Sequence, residues 1–379
     1  MKKGVYGLFK LLNISYKIKM SGKRFKEKEN KRKESTINKK GKKKMNIFWK
    51  IVIVLVVILL AILLAGYLYI NGKLGEMKIE KIDTENIGIN KQTEQDLKGY
   101  RNIAILGIDS RADDYGMGNR SDCIIIASIN QETKDVKLVS VYRDTYMQIE
   151  GHGLDKVTHA YSYGTASLAL KTLNTNLDLN IKEYVTVNFE AVVSAVDALN
   201  GITLDITDEE TKYINGYIDE NNKVTHRNSS HITKGGTYKL DGVQALAYSR
   251  IRYTAGGDYK RTERMRTVID AMAKKAKTLN VGELNNFADK ILPKVSTNIT
   301  KGSIISMLPS IASYNIKESI GWPYDTKGIT LDRYYGIPVT LESNVLKLHQ
   351  EIFNDTNYTV PDSVKTISNK IVNKTGYTK

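Results

Sequence analysis

Five arginines crowd into the stretch YSRIRYTAGGDYKRTERMR at 248–266: Arg250, Arg252, Arg261, Arg264 and Arg266. Lys260 lies among them, and only Asp258 and Glu263 oppose them. A loop holding Ala255, Gly256 and Gly257 divides the cluster in two. Beyond it Met265, Val268, Ile269, Met272, Ala273 and Ala276 recur at helical spacing, which predicts a helix with one buried face starting near Asp258. Asp258 is the predicted N-cap. Lys260 and Arg261 then fall in the first turn, where the helix dipole disfavours cations. Free amides, dipole and guanidinium groups together favour a bound anion, above all a phosphate. The plainer alternative is a solvated basic face. In the anion reading, Arg250 and Arg252 point the same way from an extended segment, and Arg261 and Arg264 share a helix face. The two pairs then close on one anion across the glycine loop.

A second group of charges stands at predicted strand ends. Residues 102–108 (NIAILGI), 123–129 (CIIIASI) and 136–142 (VKLVSVY) read as strands from their length and β-branched content. The polar turn at 130–135 is short, so the second and third strands pair antiparallel. Arg120 and Asp122, before the second strand, therefore share a sheet edge with Arg143 and Asp144, after the third. If the first strand is antiparallel to the second, Asp109 and Arg111 reach the same edge. Asp109 and Asp122 suit a hard cation such as Mg2+, which keeps waters and takes phosphate oxygens. Arg120 and Arg143 supply forked donors to the same phosphates. Turn capping by the aspartates and simple Arg–Asp pairing account for these residues equally well.

These side chains need a scaffold, and residues 101–355 carry the pattern of one. Apolar residues at helical spacing mark 166–177 and 189–199, and 202–206 reads as a short strand. A short capped helix is predicted at 241–248, helices within 279–315, an edge strand at 332–339 and a last helix at 341–353. Residues 209–236 read as a polar loop and those after 354 as a frayed tail. The alternation predicts an α/β fold, a central mixed sheet flanked by helices in two or three layers.

Charge is unevenly spread. The chain carries 57 Lys and Arg against 41 Asp and Glu; residues 1–46 hold 17 and 3 of these, which leaves 40 against 38. The arginine cluster is therefore local rather than part of a generally basic surface. Residues 51–70 are uncharged and apolar, long enough as a helix to span roughly 30 Å of hydrocarbon. The basic tail before them predicts a cytoplasmic N-terminus and an outer bulk, and explains itself by anionic lipid better than by nucleic acid. The predicted organisation is a cytoplasmic polybasic tail (1–46), a transmembrane helix (47–70), an extracytoplasmic stalk (71–100), the α/β domain (101–355) and a polar C-terminal tail (356–379). Cys123 is the single cysteine, so no disulfide forms within the chain. The five histidines lack finger spacing, and neither a G-x-S-x-G elbow nor a P-loop occurs, which removes zinc-finger, serine-hydrolase and P-loop kinase readings.

Three segments, ILGIDSR (105–111) with RSD (120–122), VSVYRDTY (139–146) and ALAYSRIRYTAGGDYKRTERMR (245–266), resemble the LytR-CpsA-Psr (LCP) family of cell-envelope glycopolymer transferases. DKVTHAYSYG and VNFEAVVSAVDALNGI are similar to further family segments. The resemblance implies a membrane-anchored domain that binds a polyprenyl-pyrophosphate-linked glycan, with Mg2+ on the pyrophosphate and the lipid tail in a hydrophobic pocket. It implies Asp109 and Asp122 at the metal, Arg120 in the catalytic cluster, and Arg143, Arg250, Arg252 and Arg261 on the phosphates. Arg111, Lys260 and Arg264 complete the expected substrate-binding set. The reaction implied moves a glycosyl phosphate to a peptidoglycan hydroxyl and leaves polyprenyl phosphate. A non-catalytic prenyl-phosphate binder and a membrane-bound regulator of transcription are the alternatives; no nucleic acid is expected as partner, because the basic tail lacks a groove-reading motif. Two positions depart from the family pattern: Tyr142 stands where proline is frequent, and Met265 where glutamine is.

Overall fold

The computed structural model describes residues 78–110 and 114–378, and before them 17, 19–24, 26–28, 30, 31, 58, 60, 61, 64–72 and 74–76. The chain divides into two units, Met1–Tyr67 and Leu68–Lys379. In the first, every described residue is helical. No helix among the described residues is long and apolar enough to cross a membrane, and half of the expected span at 51–70 lies outside them.

In chain order the second unit contains β1 (Lys78–Ile79), α1 (Lys91–Asp96), β2 (Tyr100–Ile108), β3 (Ser121–Asn130), β4 (Asp135–Val141), β5 (Tyr146–Ile149) and β6 (Gly153–Lys156). There follow α2 (Thr158–Leu177), β7 (Glu183–Val187), α3 (Phe189–Ala198), β8 (Ile202–Ile206), α4 (Asp208–Thr225), β9 (Gly236–Leu240), α5 (Gly242–Arg250) and α6 (Gly257–Ala276). The chain closes with α7 (Val281–Ile291), β10 (Val295–Thr297), α8 (Lys301–Met307), β11 (Asn315–Trp322), β12 (Thr326–Thr330), β13 (Tyr334–Pro338), α9 (Leu341–Ile352) and α10 (Asp362–Thr375).

Seven strands form the main sheet in the order β1-β10-β7-β2-β3-β4-β11. β2, β3 and β4 run antiparallel in turn, whereas β7 lies parallel to β2 and β11 parallel to β4, so the sheet is mixed. Alternation along β2 and β3 sorts their side chains to two faces. Ala104, Leu106, Ile108, Ile124 and Ile126 face a core shared with α2, α9 and α10. Ile103, Ile125, Ala127 and Ile129 face the other way, toward Ile269 of α6 and Ile304 of α8. Complete burial of an isoleucine such as Ile125 contributes about 1.5–3 kcal/mol, which makes both faces costly to uncover. On that second side α3, α4, α5 and α6 pack with the β8–β9 hairpin around Ile214, Ile218, Leu246 and Val268. The domain thus has three layers.

Four sequence expectations are corrected. Residues 208–225 form a helix rather than a loop: Thr207 and Glu210 make a reciprocal capping box, and Ile214 and Ile218 bury one narrow stripe. The polar tail from 356 contains α10, whose Val364, Ile367 and Ile371 enter the core at helical spacing, so the domain does not end at 355. The stalk also belongs partly to the domain, since β1 joins the sheet beside β10 and Ile87 and Leu97 are buried. The strand expected at 332–339 pairs with β12 in a separate hairpin, and β11 takes the edge of the main sheet.

Candidate active site

Antiparallel pairing brings the exit of β2, the entry of β3 and the exit of β4 to one end of the sheet. The predicted convergence of Asp109, Arg120, Asp122 and Arg143 follows from it. The amides of Asp109 and Asp122 both donate to the Arg120 carbonyl, at 3.0 and 3.1 Å. The turn bearing Arg143 is fastened on three sides: Tyr142 N–H to Trp322 O, Gly336 N–H to Asp144 O, and Thr158 N–H to Arg143 O.

Asp122 is the hub. Its Oδ2 pairs ionically with Arg143 Nη1 at 2.5 Å and accepts a hydrogen bond from Arg261 Nη2 at 3.2 Å, with all three side chains largely buried. Arg261 Nη1 lies 3.6 Å from Asp258 Oδ1, and Asp258 holds Arg252 by two bonds of 3.0 Å. Burial pushes the Asp258 carboxyl up, but the hydrogen bonds and charge of Arg252, with Arg261 and Arg143 behind it, outweigh this and hold it below the usual carboxylate range. Three buried guanidinium nitrogens, Arg143 Nε and Arg261 Nε and Nη1, have no hydrogen-bond acceptor among the described residues. Each such donor costs about 1–3 kcal/mol if nothing accepts from it. An anion bound there would supply the missing acceptors.

The N-cap of helix α6 is Gly256 in a left-handed conformation (φ 93°), which a side chain rarely adopts. Asp258 is therefore not the N-cap; it sits in the first turn and turns its carboxylate to the arginines. The predicted clamp of two parallel pairs is also corrected. Arg250 ends α5 rather than lying in an extended strand, and it bonds Asn221 and Glu220 while stacking over Phe189 and Tyr217. Arg264 points away from Arg261, buried against Glu210 at 2.7 Å, the Ile251 carbonyl and Thr254. Those partners hold the 251–254 loop, so Arg264 is structural. Lys260 is exposed and pairs with Glu263. Arg120 is half exposed, 3.9 Å from Asp109. Arg111 lies outside the described residues.

Behind the hub is an apolar cavity of about 310 Å³. Ile105 and Val185 of the sheet, Val192 and Ala195 of α3, and Met265 and Met272 of α6 line it, while Asp122, Arg250 and Arg261 stand at its polar end. Cys123 is part of this wall, its thiol pushed up to about 12 by burial. The α6 stripe read from sequence is therefore a cavity wall, and Met265 extends it. The Arg266 guanidinium is pushed down by burial, against the opposing influence of Tyr142, Glu263 and Cys123.

The buried Oδ1 of Asp122 has no hydrogen-bond partner among the described residues. An anionic oxygen so placed fits a hard cation. No three His, Cys, Asp or Glu side chains converge among the described residues, so a cation there takes its remaining ligands from substrate oxygens and water.

Known proteins are similar to this chain over most of its length. A polyisoprenyl-teichoic acid--peptidoglycan teichoic acid transferase TagU of Enterococcus faecalis is 33% identical over 264 residues, 69% of this chain and 79% of that one. A structure of TagT bound to LIIa-WTA matches with a TM-score of 0.54 and 28% identity, covering 74% of this chain and 95% of that one. The LytR-CPS2A-psr family protein YwtF (TagT) with bound octaprenyl pyrophosphate lipid matches at 0.50 and 27%, covering 75% and 97%. The family model described as LytR_cpsA_psr matches residues 66–339, from just before β1 to just past β13, and so spans the hub, the arginine loop and the cavity. This chain belongs to the LytR_cpsA_psr family.

Proposed function

We propose that this protein is a membrane-anchored phosphotransferase that moves a glycopolymer from a polyprenyl-pyrophosphate carrier to a peptidoglycan hydroxyl. The observation that carries the reading is the set of unsatisfied buried guanidinium donors at the polar end of a deep apolar cavity. A lipid pyrophosphate has both halves of that chemistry, and relatives carry the transferase name. The prenyl chain enters between the sheet and α3, α6 and α7. Its pyrophosphate meets Arg143 and Arg261, with Arg252 and Arg120 at the exposed side. The acceptor oxygen forms a bond to the phosphorus that bears the glycan, and the bond from that phosphorus to the prenyl phosphate oxygen breaks. The hydroxyl proton ends on the prenyl monophosphate, so no further reactant is needed.

Such transfer needs positioning and charge neutralisation more than covalent help from the protein. Arg143 and Arg261 do this with donors already fixed by Asp122. Asp109 and Asp122 hold Mg2+ in this reading; bound there, the ion neutralises charge gathering on the phosphate oxygens. The basic tail and the apolar stretch at 51–70 support a single span with the catalytic domain outside the cell. The test is transfer of labelled glycan from a polyprenyl-pyrophosphate donor to peptidoglycan by purified protein, with release of prenyl monophosphate recorded. Ala195→Phe, which fills the cavity from α3, should abolish transfer and lipid copurification without lowering thermal stability. Lipid bound and transferred as in wild type by this variant would overturn the cavity's role.

A further inference from the structure

We propose that a second, polar pocket beside the hub holds the sugar ring that presents the attacking hydroxyl, an inference that rests on the transfer reading above. This pocket, of about 250 Å³, is lined by Tyr142, Asp144, Thr145, Tyr259, Thr326 and Tyr334 among others. None of the described residues lines both it and the apolar cavity. The two are nevertheless one ion pair apart at two points. Arg143 and Asp258 line the polar pocket, and their partners Asp122 and Arg261, at 2.5 and 3.6 Å, line the cavity. The charge cluster is the partition between an oily chamber and a tyrosine-lined one.

The walls suit a pyranose. Tyr259 meets Tyr142 edge to face at 4.6 Å, and Tyr142 is fixed because its hydroxyl occupies the space a Cβ at Gly321 would need. Tyr334 lies across the β12–β13 hairpin over Gly328, where a Cβ would come within 2.8 Å of its ring. Tyr334, Asp144 and Asp258 line the same pocket, and burial first, then Tyr259 and these two carboxylates, push the Tyr334 hydroxyl up. Tyrosine faces take the C–H side of a sugar, and fixed carboxylates accept from its hydroxyls. Asp144 is held for this by Lys156 at 2.7 Å.

Displacement at phosphorus keeps the attacking and leaving oxygens in line. The leaving prenyl phosphate belongs to the apolar cavity, so the attacking oxygen comes from across the partition, where the tyrosine pocket lies. The glycan already on the donor leaves the phosphorus sideways. The pocket thus takes the acceptor, an N-acetylhexosamine of the peptidoglycan strand, rather than the donor's own sugar.

Tyr334→Ala tests this, because Tyr334 is 47% exposed and its removal spares the core. Thr326→Val serves as a second variant should the first lower thermal stability. Full-length protein in detergent is titrated with chitotetraose, and transfer kinetics are measured separately against donor and peptidoglycan. The expected result is chitotetraose binding weakened at least five-fold, with KM for peptidoglycan raised by a similar factor and KM for the donor unchanged. Equal chitotetraose binding by wild type and variants, or none by wild type, overturns the pocket. A raised donor KM with the acceptor KM unchanged overturns the acceptor assignment. Failure of wild type to transfer to any acceptor counts against the proposed function, and the titration still decides the pocket.

Discussion

Asp122 Oδ2 forms an ion pair with Arg143 Nη1 at 2.5 Å, tying the start of β3 to the turn after β4 at the point where the charge cluster meets the apolar cavity. Arg261 reaches the same oxygen from α6. One carboxylate therefore aims two guanidinium groups, while Arg143 Nε and Arg261 Nε and Nη1 have no hydrogen-bond acceptor among the described residues.

Asp122→Asn removes that counter-charge without changing shape. Breaking one side of a buried pair costs about 3–5 kcal/mol, because the surviving charges stay buried. Thermal unfolding should shift down by several degrees, and glycan transfer should fall at least a hundred-fold. Wild-type melting and turnover in this variant would show that Asp122 organises nothing.

The hub was legible because strand pairing obeys local rules. A short turn makes β3 and β4 antiparallel, and Arg120, Asp122 and Arg143 stand at strand ends that pairing brings together. The role of Arg264 was hidden, because its partner Glu210 lies in a stretch so polar that only Ile214 and Ile218 betray a buried side. Helix α10 was hidden for the same reason: Val364, Ile367 and Ile371 make a thin stripe among polar residues, and only the long-range core tells that it docks. Tyr334 carries no local signal at all. Its place beside Tyr259 depends on the hairpin returning to the Arg143 turn through Gly336.

Acid stability should report on Glu190 at the start of α3. Burial pushes its carboxyl up, but hydrogen bonds from Arg227, Ser194 and Lys294 outweigh this and bring it from 4.5 to about 2. A carboxyl depressed in the folded state adds stability above its unfolded value, and that stability is lost as pH falls through the folded one. The window is therefore from about pH 4.5 down to about 2. Glu190→Gln should be less stable than wild type at pH 6 and should show a shallower decline through that window. Urea midpoints at half-unit steps from pH 6 to 2 measure it, and parallel curves for the two proteins would contradict the assignment.

Arg261 and Arg264 lie one helical turn apart on α6 and are equally buried, at 6% exposure each, yet their partners separate them. Arg261 touches Asp122 through one nitrogen and keeps Nε and Nη1 without an acceptor. Arg264 spends its nitrogens on Glu210, the Ile251 carbonyl and the Thr254 hydroxyl. Lysine preserves the charge at either position but not the planar fork. Arg261→Lys should therefore melt close to wild type and lose most of its transfer, since the lost donors are those the proposed mechanism assigns to the phosphates. Arg264→Lys should melt well below wild type, because a single ammonium cannot hold the helix and the loop together, while transfer per folded molecule is retained. Thermal unfolding and transfer measured on both variants form a crossed test. Two variants that lose stability and transfer in equal measure would show that the free nitrogens of Arg261 have no separate task.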